Sequence, residues 1–211
     1  MNAEEFVKFI NERNFSGTKE HQHKYISNYY AHEFGKRQHE ELLFVELGVR
    51  DGYDLTMFAD WFENSEIIGI DINNYQIYVE QRDRSAANGW GNYHKHLGQM
   101  KNAEFRQESA YADPTISKFA NESIDYLIDD ASHDLNDQLM CIKKYYPKIK
   151  KGGKIIIEDV GYNSHSETCI SRICATGSDL GYDVRVFDLR EKTDSDFSTI
   201  IELQKRQQNE R

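Results

Sequence analysis

Residues 42–72 read LLFVELGVRDGYDLTMFADWFENSEIIGIDI, and this stretch decides the fold. Leu42 to Val49 is an apolar run broken only by Glu46, as a buried strand requires. Gly48 and Gly52 leave no side chain where the chain must turn and a ligand must approach. From about Asp54 to Phe62, Leu55, Phe58 and Phe62 share one helical stripe, and Ile67 to Ile72 is too short and too β-branched to be anything but a strand. The unit is therefore β-α-β. Asp71 closes its second strand, 23 positions after Gly48, where an acid commonly accepts hydrogen bonds from ribose hydroxyls.

Two kinds of nucleotide ligand fit such a unit, and they need different turns. A dinucleotide lays its pyrophosphate on a helix N-terminus and calls for the spacing G-x-G-x-x-G, whereas this turn reads E-L-G-V-R-D-G. S-adenosylmethionine carries no phosphate, and its ammonium and sulfonium are cationic, so Glu46 or Asp51 beside the turn attracts it. The methyl donor is the better fit. The bland alternative is a pair of ordinary strand-end residues in a doubly wound sheet that binds something else.

The 211 residues suffice for one α/β domain with a full core. With 36 acidic against 26 basic side chains the formal charge is −10, which repels polyphosphates and argues against a nucleic-acid partner. No apolar run approaches a bilayer's thickness and MNAEEFVKF has no basic flank, so no membrane partner and a cytoplasmic location are expected. Cys141, Cys169 and Cys174 lack a C-x-x-C spacing and read as free structural thiols. A homo-oligomer is left open.

Outside the central unit, residues 3 to 12 read as a helix with Phe6, Val7 and Ile10 inward, followed by a turn at Asn14 to Gly17. The segment SGTKEHQHKYISNYYAHEF that follows is dense in rings. His23, Tyr25, Tyr29 and Tyr30 suit either packing against the domain or a lid over an adenosyl pocket. Residues 75 to 102 read as a short helix and a mobile loop, in which His94 and His96 are better solvated histidines than metal ligands. Glu104 to Ser109 gives a third strand, with Ser109, Ala110 and Tyr111 at its end placed to meet adenine. SIDYLIDD at 123–130 gives a fourth. A helix from Leu135 to Ile149, capped by Asp134, stops at the basic, glycine-ended Lys150 to Gly153. Lys154 to Val160 forms the fifth strand and residues 164–176 a helix. Tyr182 to Leu189 and Ser198 to Leu203 pair antiparallel, and Lys205 to Arg211 frays.

The expected fold is thus a Rossmann-like, doubly wound α/β sheet of seven strands with the last antiparallel. Residues 1–40 form a short N-terminal helical lid, 41–206 the S-adenosylmethionine-binding domain and 207–211 a tail. In such sheets ligands gather beyond the carboxyl ends of the strands, which brings Asp129, Asp130, His133, Glu158 and Asp159 together. Four carboxylates beside one imidazole repel unless a cation or protons compensate them. Oxygen donors favour a hard ion, magnesium, manganese or calcium, with Asp130, Glu158 and Asp159 as its ligands. Both Glu158 and Asp159 reach one ion only if the strand has already begun to turn. His133, three residues after Asp130, has a side chain suited to removing a proton near neutral pH. Taken singly, each of these residues is better explained by helix capping or a satisfied loop; together at the strand ends they favour function.

From residue 17 to about 160 the sequence resembles the class I, metal-dependent sugar O-methyltransferases of the macrolide and rhamnosyl type, and is similar to the cephalosporin methyltransferase-hydroxylase proteins. The resemblance lies in Gly17, Thr18, Lys19, His23, Tyr25 and Tyr29, and in VELGVRDG, IIGIDI, IDDASHD and IIIEDV. It implies that Asp130, Glu158 and Asp159 bind magnesium and that His133 deprotonates a sugar hydroxyl. It also implies that Glu46, Gly48 and Gly52 hold the donor. With the chain reading, the donor contacts become Glu46, Gly48, Gly52, Asp71, Ser109, Ala110, Tyr25 and Thr18. The lysine of the first motif lacks the family's preceding acid, and Tyr53 replaces a common second glycine. The expected activity is O-methylation of a sugar or sugar-containing small molecule, against a metal-independent methyltransferase or an idle donor-binding subunit.

Overall fold

The computed structural model describes residues 2–13, 17–50, 52–74, 100–162 and 165–207, and of residues 17 and 18 only the backbone. The expectations for Asp51, for the loop containing His94 and His96, and for the end of the tail lie outside the described residues. Seven strands form one sheet: β1 Leu43–Leu47, β2 Glu66–Asp71, β3 Ala103–Gln107, β4 Ile124–Asp129, β5 Ile149–Ile157, β6 Tyr182–Asp188 and β7 Thr199–Lys205. Their order is β3-β2-β1-β4-β5-β7-β6. β1 to β5 run parallel, and β7 lies antiparallel between β5 and β6. The expected doubly wound, seven-stranded sheet with its antiparallel last strand is what the chain forms.

Side-chain alternation along β1 divides the core into two layers. Phe44 points into a layer built with Phe6, Phe34, Phe58 and Trp61. Val45 and Leu47 point into the other, with Leu139, Ile142 and Ile173. The first layer is made by helices α1 (Ala3–Glu12), α2 (Gly17–His21), α3 (Ala31–Phe34) and α4 (Tyr53–Trp61), with a π-helical turn at Ile26–Tyr30 leading into α3. The second lies under α5 (Asp113–Ile116), α6 (Leu135–Tyr145) and α7 (Ser166–Asp179).

The N-terminal segment is packed on the sheet rather than merely laid over its edge. Asn2 and Glu5 form a reciprocal capping box that starts α1. Phe6 meets Trp61 edge to face at 4.8 Å, and the Trp61 indole donates to the Phe34 carbonyl at 3.1 Å. Tyr25, Tyr29 and Tyr30 are buried, and Tyr29 donates to Glu202, away from the strand ends.

Several boundaries differ from the sequence reading. The helix expected to reach Ile149 ends at Tyr145, and β5 begins at Ile149, so Lys150 to Gly153 lie in a strand instead of a stop. Pro147 explains this: it cannot donate within a helix and its ring clashes with the preceding turn. The β4–β5 register slips between Ile124 and Tyr126, which accommodates the glycines opposite. β5 stops at Ile157, not Val160, and β2 stops at Asp71, leaving Ile72 exposed. Lys205 does not fray: it closes β7, and its ammonium donates to the carbonyls of Tyr146 and Ile149. Cys141, Cys169 and Cys174 are free thiols, as expected.

Candidate active site

Strand order reverses between β1 and β4, so connections leave them toward opposite faces and open a crevice beyond their carboxyl ends. A cavity of about 840 Å³ fills it, bounded by the residues that follow β1, β2, β3, β4 and β5. Asp130 N donates to Leu47 O at 2.9 Å, which brings the end of β4 against the turn after β1. Gly48 is required there. Its φ is +86°, and a Cβ would collide with the Asp130 carbonyl and the Ala131 backbone.

One half of the cavity has the features expected for an adenosyl group. Asp71 Oδ2 accepts from Val49 N at 3.0 Å and Arg50 N at 2.8 Å, and Oδ1 accepts from Asn73 N at 2.8 Å. The acid thus pins the glycine turn to the end of β2 while facing the cavity, with lone pairs left for a hydroxyl. Ser109 and Ala110 line the same space. Their loop is fixed from behind, because Tyr145 donates to Ala110 O at 2.8 Å, Lys144 to Tyr111 O at 2.9 Å and Tyr111 to Asp129 at 2.8 Å. Burial pushes the Asp129 carboxyl up to about 6, against the bond from Tyr111. Ile72, 66% exposed on the cavity wall, offers open apolar surface to a flat ring. Sequence reasoning had placed it inside a strand. Its signal was an isoleucine standing just after the closing acid.

The remaining donor residues divide. Tyr25 lines the cavity, whereas Gly52 lies at the N-cap of α4 with φ +76° and is not a lining residue. The Thr18 side chain lies outside the described residues. Glu46 is buried beneath the turn, and neither of its oxygens has a hydrogen-bond partner among the described residues. Burial, with Asp54 adding and Lys19 opposing, raises its pKa well above the usual carboxylate range.

The other half is acidic and strained. β5 has ended before Glu158, and Asp159 takes φ +51°, so the two consecutive acids are no longer held to opposite faces. His133 also sits in the left-handed region, at φ +56°. Asp130 and Asp159 each divide their oxygens in the same way. Asp130 Oδ2 takes the Lys19 ammonium at 2.7 Å, and Asp159 Oδ1 takes the Tyr25 hydroxyl at 2.6 Å. Asp130 Oδ1 and Asp159 Oδ2 are left facing His133 Nε2, 3.9 Å from each. Glu158 is used differently: Lys19 and Tyr30 hydrogen-bond its two oxygens. The structure thus brings Asp130, Asp159 and His133 within 4.8 Å of one another, and Glu158 is not in that group.

Lys19, which entered the sequence reading only as part of a motif, is the hub of this half. Burial disfavours its charge, but Asp130, Glu158, Asp54 and Glu46 outweigh that and hold its pKa well above normal. Burial raises Glu158 and Asp159, and lowers His23, which lies 3.7 Å from Asp159. Around these groups runs an aromatic wall: His133 against Tyr162, Tyr162 edge-on to Phe197 at 4.5 Å, Phe197 against His23, and His23 stacked on Tyr25. It flanks the acids and leaves Tyr162 half exposed to whatever enters.

Comparison with known proteins agrees with this geometry. Residues 45–160 match the model of a family described as methyltransferase domain. The chain belongs to this methyltransferase-domain family. A search of curated proteins finds no match. Among solved structures, a SAM-dependent methyltransferase from Aquifex aeolicus aligns over 97% of each chain at 13% identity, with a TM-score of 0.57. A precorrin-6y C5,15-methyltransferase from Geobacter metallireducens aligns over 80% of this chain and 84% of its own, at 16% identity and TM-score 0.52. A Streptococcus mutans protein in complex with SAH aligns over 82% and 93%, at 12% identity and TM-score 0.56. At these identities the likeness is one of fold. Family and fold agree on a methyltransferase domain, folded like the SAM-dependent methyltransferase from Aquifex aeolicus.

Proposed function

We propose that this methyltransferase transfers the methyl group of S-adenosylmethionine to a hydroxyl of a sugar or sugar-containing small molecule, assisted by a divalent ion, magnesium or manganese. The observation that supports it is the arrangement of Asp130 Oδ1, Asp159 Oδ2 and His133 Nε2 on the wall of the cavity that Asp71 also lines. Asp71, Ser109 and Ala110 would hold the adenosyl group, with Gly48 permitting its approach.

The donor set fits a hard ion. Among the described residues, Asp130 and Asp159 each present one oxygen that no hydrogen-bond partner has taken, both on the side of His133 Nε2, and hard ions take carboxylate oxygens. Asp130 and Asp159 would be its ligands, and Glu158, held by Lys19 and Tyr30, would fix the backbone of Asp159 from the next position. When bound, the ion would offset the carboxylate charge and act as a Lewis acid, and the sulfonium of the donor supplies an electrophilic methyl group. An acceptor hydroxyl gives its proton to His133 Nε2 as its oxygen takes the methyl group, and S-adenosylhomocysteine leaves. The aromatic wall flanks these groups, and positioning and a preorganised field provide most of the rate.

A formal charge of −10 supports a small-molecule acceptor over nucleic acid. No helix among the described residues is long and apolar enough to cross a membrane. The test is transfer of labelled methyl from S-adenosylmethionine to a panel of nucleotide sugars and glycans, with magnesium and with EDTA. Transfer that chelation abolishes is expected. Full activity in EDTA would remove the metal from the mechanism, and tight donor binding with no transfer at all would leave a donor-binding subunit.

A further inference from the structure

Among the described residues, two clusters of possible metal donors share Asp130. One is Asp130, His133 and Asp159; the other is Glu46, Asp54 and Asp130. They differ in what already lies among them. The Lys19 ammonium is inside the second, 2.7 Å from Asp130 Oδ2 and 3.6 Å from Asp54 Oδ2, and hydrogen-bonded to Glu158. Its side chain is 4% exposed. Glu46, 1% exposed, has both oxygens buried without a hydrogen-bond partner among the described residues, at the edge of the same cluster. A buried carboxylate with no donor is stable only beside a positive charge or with a proton.

We infer that Lys19 is the resident cation of a two-position acidic site: its ammonium fills the Glu46–Asp54–Asp130–Glu158 position and leaves only the position between Asp130 and Asp159, beside His133, for a divalent ion. An ammonium is a compact point charge with three donors, and here it has three carboxylates within 4 Å. It also holds Asp130 by Oδ2, which keeps Oδ1 directed to His133. Lys19 is thus a positioning residue. It sets the number of ions the site takes and the orientation of one of their ligands. The statement about the position between Asp130 and Asp159 rests on the metal-assisted reading above.

The test counts manganese ions bound by the full chain, by titration calorimetry and by the EPR signal of free Mn²⁺. Wild type is expected to bind one, Lys19→Met two, and Lys19→Met with Glu46→Gln one again. Lys19→Arg, which keeps the charge, should bind as wild type does. If Lys19→Met is unfolded without metal, its melting temperature followed against Mn²⁺ concentration replaces the count. It should then rise further than that of wild type. An equal count in wild type and Lys19→Met, or a Lys19→Met chain that no Mn²⁺ concentration stabilises, overturns the inference. The two readings fail separately. A count of zero in wild type and one in Lys19→Met would end metal assistance and keep Lys19 as the resident cation.

Discussion

His133 draws its role from its surroundings. Its backbone is left-handed, its Nδ1 is buried without a partner among the described residues, and its Nε2 lies 3.9 Å from one oxygen of each of two aspartates. His133→Ala should lower kcat by roughly 10²- to 10⁴-fold, the usual range for a lost general base. The dissociation constant for S-adenosylmethionine should stay within about twofold, as stopped-flow or calorimetry would show. If Mn²⁺ affinity falls as steeply as kcat, the imidazole is a ligand and not the base. Glu46 gives a second prediction at this scale. Its folded pKa stands above the unfolded value near 4.5, so its contribution to stability is complete below that pH. It is lost as pH rises through the folded value. Melting temperatures measured from about pH 5 to pH 8 should therefore fall for wild type relative to Glu46→Gln, with the gap widening toward high pH. Parallel curves would mean that Glu46 is not carrying an unpaired buried charge.

At the scale of elements, the segment before β1 decides how much of the site is prebuilt. α1 is anchored by Phe6 on Trp61, and the turn into α3 delivers Tyr25 to Asp159 and Tyr30 to Glu158. Phe6→Ala, at a fully buried position, should cost about 3–5 kcal/mol in urea unfolding, in one transition with the rest of the domain. A separate early transition with the main one unchanged would show that the segment is not part of the core. At the other face, Asp134 caps α6 by accepting from Asn136 N at 2.8 Å, and Asp134→Ala should cost about 1 kcal/mol. The cap was legible because Asp stands immediately before an amphipathic run. The end of the same helix was misread although Pro147 was in view, since the apolar spacing of Tyr145, Tyr146 and Ile149 continued past it. What could not be read was the turn after β5. Nothing in the residue types says that Asp159 takes φ +51°, a conformation Asp tolerates without preferring. Nor does the sequence reveal Lys19's partners, because 111 and 139 residues separate it from Asp130 and Glu158.

For the whole molecule, the strand order, which reverses between β1 and β4, is what makes distant acids neighbours. The fold was therefore legible from one β-α-β unit and the apolar runs after it, and the cavity from the rule that ligands sit beyond strand ends. The partition of the site into an adenosyl half and an acidic half was legible only in outline. Its detail depends on which oxygen of each carboxylate is already taken, and that is a property of packing. Both halves can be read at once in a crystal structure of the protein with S-adenosylhomocysteine and Mn²⁺, using manganese anomalous scattering. The account predicts the ribose at Asp71, the adenine beside Ile72 and Ala110, and one anomalous peak between Asp130 and Asp159 with none at Lys19. Cofactor bound elsewhere, or a cavity with His133 turned away and no peak at those two aspartates, would contradict it.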